Sequence, residues 1–292
     1  MVVALACVRW VHFAAAFVLF GGSFFVGVLT VEPLRGKLAP LLRPLWLCAS
    51  AILILSWIGW LSLESGAMGN GPADMLNADT LFTIVSATTF GWVWLFRLPL
   101  LLVAFGLAKA ERGSGSRLIP VLSGLGLISL APVGHPVMVD GFAGDLLVLN
   151  HAIHLVCGGL WVGGLYPLVL CLNRFWGPVD RHDATRSLRR FSWVGHGAVA
   201  ALVLSGVFNT VMILGHFPLP ERSLYGVILL FKVLLVGGMI GLALFNRYWL
   251  VPRLRSDNVD PVRRMRLTTM AEMILAIGVL GLVGFLGQIE PV

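Results

Sequence analysis

The sequence predicts an all-α, polytopic membrane protein: a bundle of eight transmembrane helices with both termini outside. Three observations carry this. Hydrophobic residues make up 58% of the chain and charged residues 12%, whereas about a quarter of a soluble domain is charged. The apolar residues fall into eight runs, most of them near or above the roughly 20 residues that a spanning helix requires. The basic residues collect in alternate connections, which fixes orientation.

The runs are Val2–Val31, Leu41–Leu63, Thr80–Ala108, Leu118–Val133, Leu146–Leu172, Leu188–Gly215, Leu224–Leu250 and Leu267–Leu286. The first lacks a basic n-region, exceeds the length of a signal-peptide core and contains Arg9, so it reads as a retained helix. The fourth is short and contains Pro120. In and beside the connection after run one stand Arg35, Lys37 and Arg43, and between three and four Lys109, Arg112 and Arg117. In and beside the connection after run five stand five arginines from Arg174 to Arg190, and in and beside that after run seven six from Arg247 to Arg266. The remaining connections hold one basic residue, Arg222, beside Glu64, Asp74, Asp79, Asp140, Asp145 and Glu221. The basic connections are therefore cytoplasmic. The net charge of +7 reports topology; with no interleaved aromatic and basic patch it does not predict nucleic-acid binding. Residues 1–292 form a single membrane domain whose solvent is lipid.

Four cysteines, Cys7, Cys48, Cys157 and Cys171, lie in apolar runs without a CxxC pair, so neither a disulfide framework nor a zinc knuckle is expected. No nucleophile triad, P-loop or dinucleotide fingerprint occurs, and the chain is not expected to be an enzyme.

The histidines carry the chemistry. His12, His135, His151, His154 and His216 map to the outer side; His196 and His182 map toward the cytoplasm. Ionisable groups inside a membrane must be paired or hydrated, and they mark function by default. His151 and His154 are three residues apart and share a helix face, so they can grip one ion. His135 and Met138 lie in the loop before them, and Cys157 one turn beyond. Imidazole with soft sulfur is a copper ligand set. The expected metal site is His12, His135, His151 and His154, with Cys157, Met138, His216 and His196 left open as further ligands. Buried histidines on separate helices also suit bis-imidazole haem ligation, which keeps a membrane cytochrome as the alternative. A sensor or scaffold that binds copper without moving it is a further one.

Other intramembrane polar groups are Arg97, Lys232 and Glu272, each of which needs a partner. Asn150 and Asn209 are placed to orient a ligand imidazole. Gly159-x-x-x-Gly163 and Gly237-x-x-x-Gly241 read as close helix packing, and Trp161 shares a face with His154. Cys48, Cys171 and His196 are candidates for an inner relay.

From Gly134-His135 through His154-Leu-Val-Cys-Gly-Gly-Leu-Trp161-Val-Gly163-Gly164-Leu165 the chain resembles the CopD/PcoD copper-resistance membrane proteins. The resemblance continues through Arg190-Phe191-Ser192, Ser205-Gly206-Val-Phe-Asn209, Tyr225-Gly226, Lys232, Asn246-Arg247 and Pro252-Arg253-Leu254. It is strongest over about residues 130–255. It implies a multi-pass protein of the bacterial inner membrane that handles copper, as Cu(I) or Cu(II), imports it, and works beside a periplasmic copper-binding protein of the CopC type. His135 matches the family's Gly-His element and His154 its helix-five histidine; His12 matches a first-helix histidine less closely. Position 157 is Cys where the family usually has a small apolar residue.

Overall fold

The computed structural model describes residues 1–110, 116–133, 141–214, 223–255 and 260–289. Among these it is all-helical, without a strand. The helices are α1 (Val2–Phe24, continued by a π-turn over Phe25–Leu29), α2 (Leu34–Met68), α3 (Ala78–Ala87), α4 (Thr89–Ala110) and α5 (Leu118–Ile128). They continue with α6 (Gly141–Arg174), α7 (Arg181–Leu214), α8 (Leu224–Phe245, extended by short turns to Arg255) and α9 (Asp260–Leu286). Seven are long and apolar enough to cross a membrane; α3 and α5 are shorter.

Each predicted run contains helix, but the third is divided. Thr88 is extended between α3 and α4. Its hydroxyl donates to the Ile84 carbonyl and accepts from the Gly91 amide, so it ends one helix and caps the next. Gly91 permits the fold-back, because a Cβ there would strike the Ile84 and Val85 backbone. Only Ile84 of α3 is buried. Hydropathy alone cannot register this break, since apolar residues flank it on both sides. The capping Thr88 and Gly91 are the local signs.

The fourth run is helical over 11 residues. Beyond Ile128 the backbone bonds tighten to three-residue spacing, Leu130 to Leu127, Ala131 to Ile128 and Val133 to Leu130, so helical turns continue to Val133.

α1 is the hub and packs on α2, α5, α6 and α9. Its crossing with α6 is set by glycine: a Cβ at Gly163 would overlap the Phe17 carbonyl, and one at Gly21 the Gly159 carbonyl. This is the close approach that small residues allow in membranes. The second glycine pair differs from expectation. Gly237 and Gly241 have open space where a Cβ would stand, and α8 packs extensively on α9 alone. Gly237 instead lines a cavity.

Four connections meet at one end of the bundle. Lys37 pairs with Asp180 at 2.6 Å, and Arg43 donates to the Lys109 carbonyl at 2.7 Å. Arg181 donates to the Leu254 carbonyl at 2.9 Å and Arg266 to Asn173 at 2.8 Å. These are the four basic connections of the sequence pattern.

Candidate functional site

The predicted histidines separate into two networks. His12, on α1, is fully buried. Its Nδ1 lies 2.8 Å from the Ser56 hydroxyl on α2, and its Nε2 lies 2.9 Å from Arg97 Nη2 on α4. Ser56 itself donates to the Ile52 carbonyl, so it accepts from His12, and Nδ1 carries the proton. Nε2 accepts from the guanidinium. Both ring nitrogens are thus engaged within the protein. Trp57 and Trp60 wall the ring, with centroids 5.3 and 5.6 Å away.

Arg97 is 1% exposed. It also donates to the Gly126 carbonyl near the end of α5, lies near the Ser129 hydroxyl, and stacks over Trp57 at 5.1 Å. A guanidinium near a helix C-terminus meets carbonyls that have no amide partner. The partner that the sequence demanded for Arg97 is therefore the end of a short helix and an imidazole rather than a carboxylate.

His151 and His154 form the second network, on α6. Their rings are nearly parallel, 10° apart, with centroids separated by 6.3 Å. Nitrogens sharing one copper ion need to lie within about 4 Å, so the ring edges must turn toward each other to share it. α7 supplies the supports. Ser205 donates to the Leu202 carbonyl and lies 3.0 Å from His154 Nδ1, so His154 is protonated at Nδ1 and its lone pair is on Nε2.

A chain of bonds sets His151 differently. Asn150 Nδ2 donates to the Ser205 carbonyl at 2.9 Å and to Asn209 Oδ1 at 2.8 Å. The backbone carbonyl fixes the orientation of Asn150, and Asn150 in turn fixes Asn209. The Asn209 amide nitrogen then faces His151 Nδ1 at 3.4 Å and leaves the proton on Nε2. These tautomers follow from the network. Asn150 and Asn209 do orient the imidazoles, as their spacing suggested, but Asn150 acts through Asn209.

Both rings border a cavity of about 500 Å³ between α1, α6, α7, α8 and α9, which Trp161, Tyr225 and Lys232 also line. Its walls are otherwise mostly apolar.

The other predicted groups stand apart. His135, Met138 and His216 lie outside the described residues. Cys157 is not on the cavity wall. Cys48 is exposed and Cys171 buried, while His196 bonds the Ser192 carbonyl at 2.6 Å and packs edge-on to Tyr248. Among the described residues no three His, Cys, Asp or Glu side chains converge as a metal cage. Glu272 is buried and accepts from Asn246 at 2.7 Å. Asn246 in turn accepts from Thr268.

Comparison with known proteins adds the family. The N-terminal domain of copper resistance protein D-like proteins matches residues 1–145, and copper resistance protein D matches residues 185–286. The inner membrane protein YebZ of Escherichia coli is 34% identical over 97% of both chains. This chain belongs to the copper resistance protein D family. Copper resistance protein D of Pseudomonas syringae is 31% identical over 97% of this chain and 96% of that protein. The copper transport protein CutJ of Bacillus subtilis is 30% identical over 53% of this chain and 29% of its own length. With seven membrane-length helices and an inner-membrane relative, the chain is a multi-pass protein of the inner membrane.

Proposed function

We propose that this protein takes up copper from the periplasm and moves it across the inner membrane through the His151–His154 pair, as a transporter rather than an enzyme. The observation that carries this reading is the pair itself: two neighbouring imidazoles, held by α7, at the rim of an intramembrane cavity in a copper-resistance chain. Imidazole is a good ligand for copper in either oxidation state, and Cu(I) accepts a two-coordinate site. His135, just before α6 in sequence, is the proposed additional ligand. A periplasmic carrier of the CopC type is the proposed donor. His12 is less suited, since binding through Nε2 requires Arg97 to withdraw.

The same reading includes eight crossings with both termini outside. The four basic connections share one end of the bundle, so the segment from α5 to α6 leaves that end and returns to it. The 11 helical residues of α5 rise about 16 Å. The tightened turns to Val133 add roughly 10 Å at about 2 Å per residue. Together they approach the roughly 30 Å of the hydrocarbon layer.

The test is radioactive copper uptake into proteoliposomes, with copper content measured on the purified protein. The double change His151→Ala, His154→Ala is expected to abolish both while the melting temperature holds. Full copper content in that variant would remove the pair from the site. An absorption spectrum of the same sample with a Soret band would replace copper by haem. Accessibility labelling of cysteines placed at Asp79 and Arg186 checks orientation, and reaction of both from one side overturns it.

A further inference from the structure

The cavity beside His151 and His154 is far larger and more apolar than a copper ion requires. Along α8 it runs from Tyr225 to Ile240, about 22 Å at 1.5 Å per residue. At about 500 Å³ it is long and narrow, and it falls within the usual size range of small-molecule sites. α8 packs extensively on α9 and not on α6 or α7, so the cavity lies along a loosely packed seam between α7 and α8. Among the described residues one fully charged side chain borders it, Lys232. Among the described residues its ammonium has no carboxylate or hydrogen-bond acceptor. A cation in hydrocarbon needs an anion or water. A cation facing the imidazoles also opposes a copper ion bound there.

We propose that this cavity binds a single-chain amphiphile with a carboxylate head, a fatty acid drawn from the bilayer. The head pairs with Lys232, about midway along the cavity and roughly 10 Å along α8 from Tyr225. The chain lies along Val236, Gly237 and Ile240. The proposal concerns the cavity used in the copper reading but needs no copper. Its occupant brings the negative charge that a copper ion beside Lys232 otherwise lacks.

The experiment uses the whole protein in phosphatidylcholine nanodiscs, free of copper, with a diazirine-bearing palmitate as probe. Light-induced crosslinks are expected in the peptides of Leu202–Leu214 and Leu229–Ile240, competed by palmitate and not by hexadecanol. Lys232→Met is expected to weaken labelling by about tenfold or more, the scale of removing one partner of a desolvated charge pair; Lys232→Arg is expected to retain it. Gly237→Leu is expected to block the chain without changing the melting temperature, because open space surrounds that position. Equal labelling in Lys232→Met, or equal competition by hexadecanol, would overturn the proposal. Competition by phosphatidylglycerol but not by palmitate would overturn the fatty-acid assignment. Because every arm omits copper, loss of copper uptake and loss of this site are read separately.

Discussion

His12 and the His151–His154 pair are imidazoles inside one helical bundle, yet the two regions treat them in opposite ways. In the N-terminal half, His12 is fully buried against Trp57 and Trp60, with Ser56 and Arg97 on its two nitrogens. In the C-terminal half, His151 and His154 border open volume, and α7 holds them through Ser205 and Asn209. The His12 ring has both nitrogens bonded inside a packed core. A ring held at Nδ1 by a neighbouring helix and bordering a cavity is oriented by the protein at the edge of open volume.

The strongest way to break this comparison is Arg97→Met. It leaves His12 Nε2 without its donor, while the Gly126 carbonyl keeps the Ser129 hydroxyl at 2.9 Å. A buried group left unmet costs about 1–3 kcal/mol, so a loss on that order is expected in thermal or denaturant unfolding. Copper affinity of the folded fraction should stay at wild type. A variant of normal stability that binds copper poorly would place Arg97 and His12 in the functional site.

Glycine substitution sharpens the same contrast. At Gly163 an added side chain overlaps the Phe17 carbonyl, and backbone cannot give way as a flexible side chain can. Gly163→Val is expected to cost about 1–3 kcal/mol by overpacking. At Gly237 nothing stands within 4 Å, and Gly237→Val is expected to stay within about 0.5 kcal/mol of wild type. Parallel melting curves check both. Equal destabilisation would mean that α8 closes onto its neighbours and that the cavity is not a standing feature.

Most of the fold was legible because hydrocarbon imposes a simple demand: long apolar runs become helices, and basic charge marks one side. The break at Thr88 escaped because polarity does not change there, only capping and a glycine contact. The Gly237 pair misled because a small-residue stripe permits close packing without requiring it. Within the site, sequence spacing put His151 and His154 on one face and brought Asn150 and Asn209 into view. The fate of His12 was not legible. Its partner Arg97 lies 85 positions away, on a helix whose neighbour is set by the packing of α5. Lys232 was visible as a membrane cation needing a partner, but the cavity it enters exists only once α8 leans on α9 and away from α7.

The finest distinction lies within the pair. In the bond chain from the Ser205 carbonyl through Asn150 and Asn209, His151 receives an N–H at Nδ1 and keeps its own proton on Nε2. His154 presents a lone pair at Nε2. A copper ion bridging the two must therefore move the His151 proton from Nε2 to Nδ1, which reverses the Asn209 amide against Asn150. Asn209→Asp removes this obstacle. Its carboxylate still accepts from Asn150 and now also accepts from His151 Nδ1–H, which transfers the lone pair to Nε2. Carboxylate support of a ligand imidazole is worth about 10–100-fold in metal affinity. The gain here is expected near the lower end, about tenfold, because the Asn209–His151 contact is long. Asn209→Leu, which can neither accept nor donate, separates loss of support from gain of charge and is expected to bind more weakly than wild type. Copper titration against a competing chelator measures both. An Asp variant that binds no tighter than wild type would show that His151 is not a ligand, leaving His154 to hold copper with partners from elsewhere.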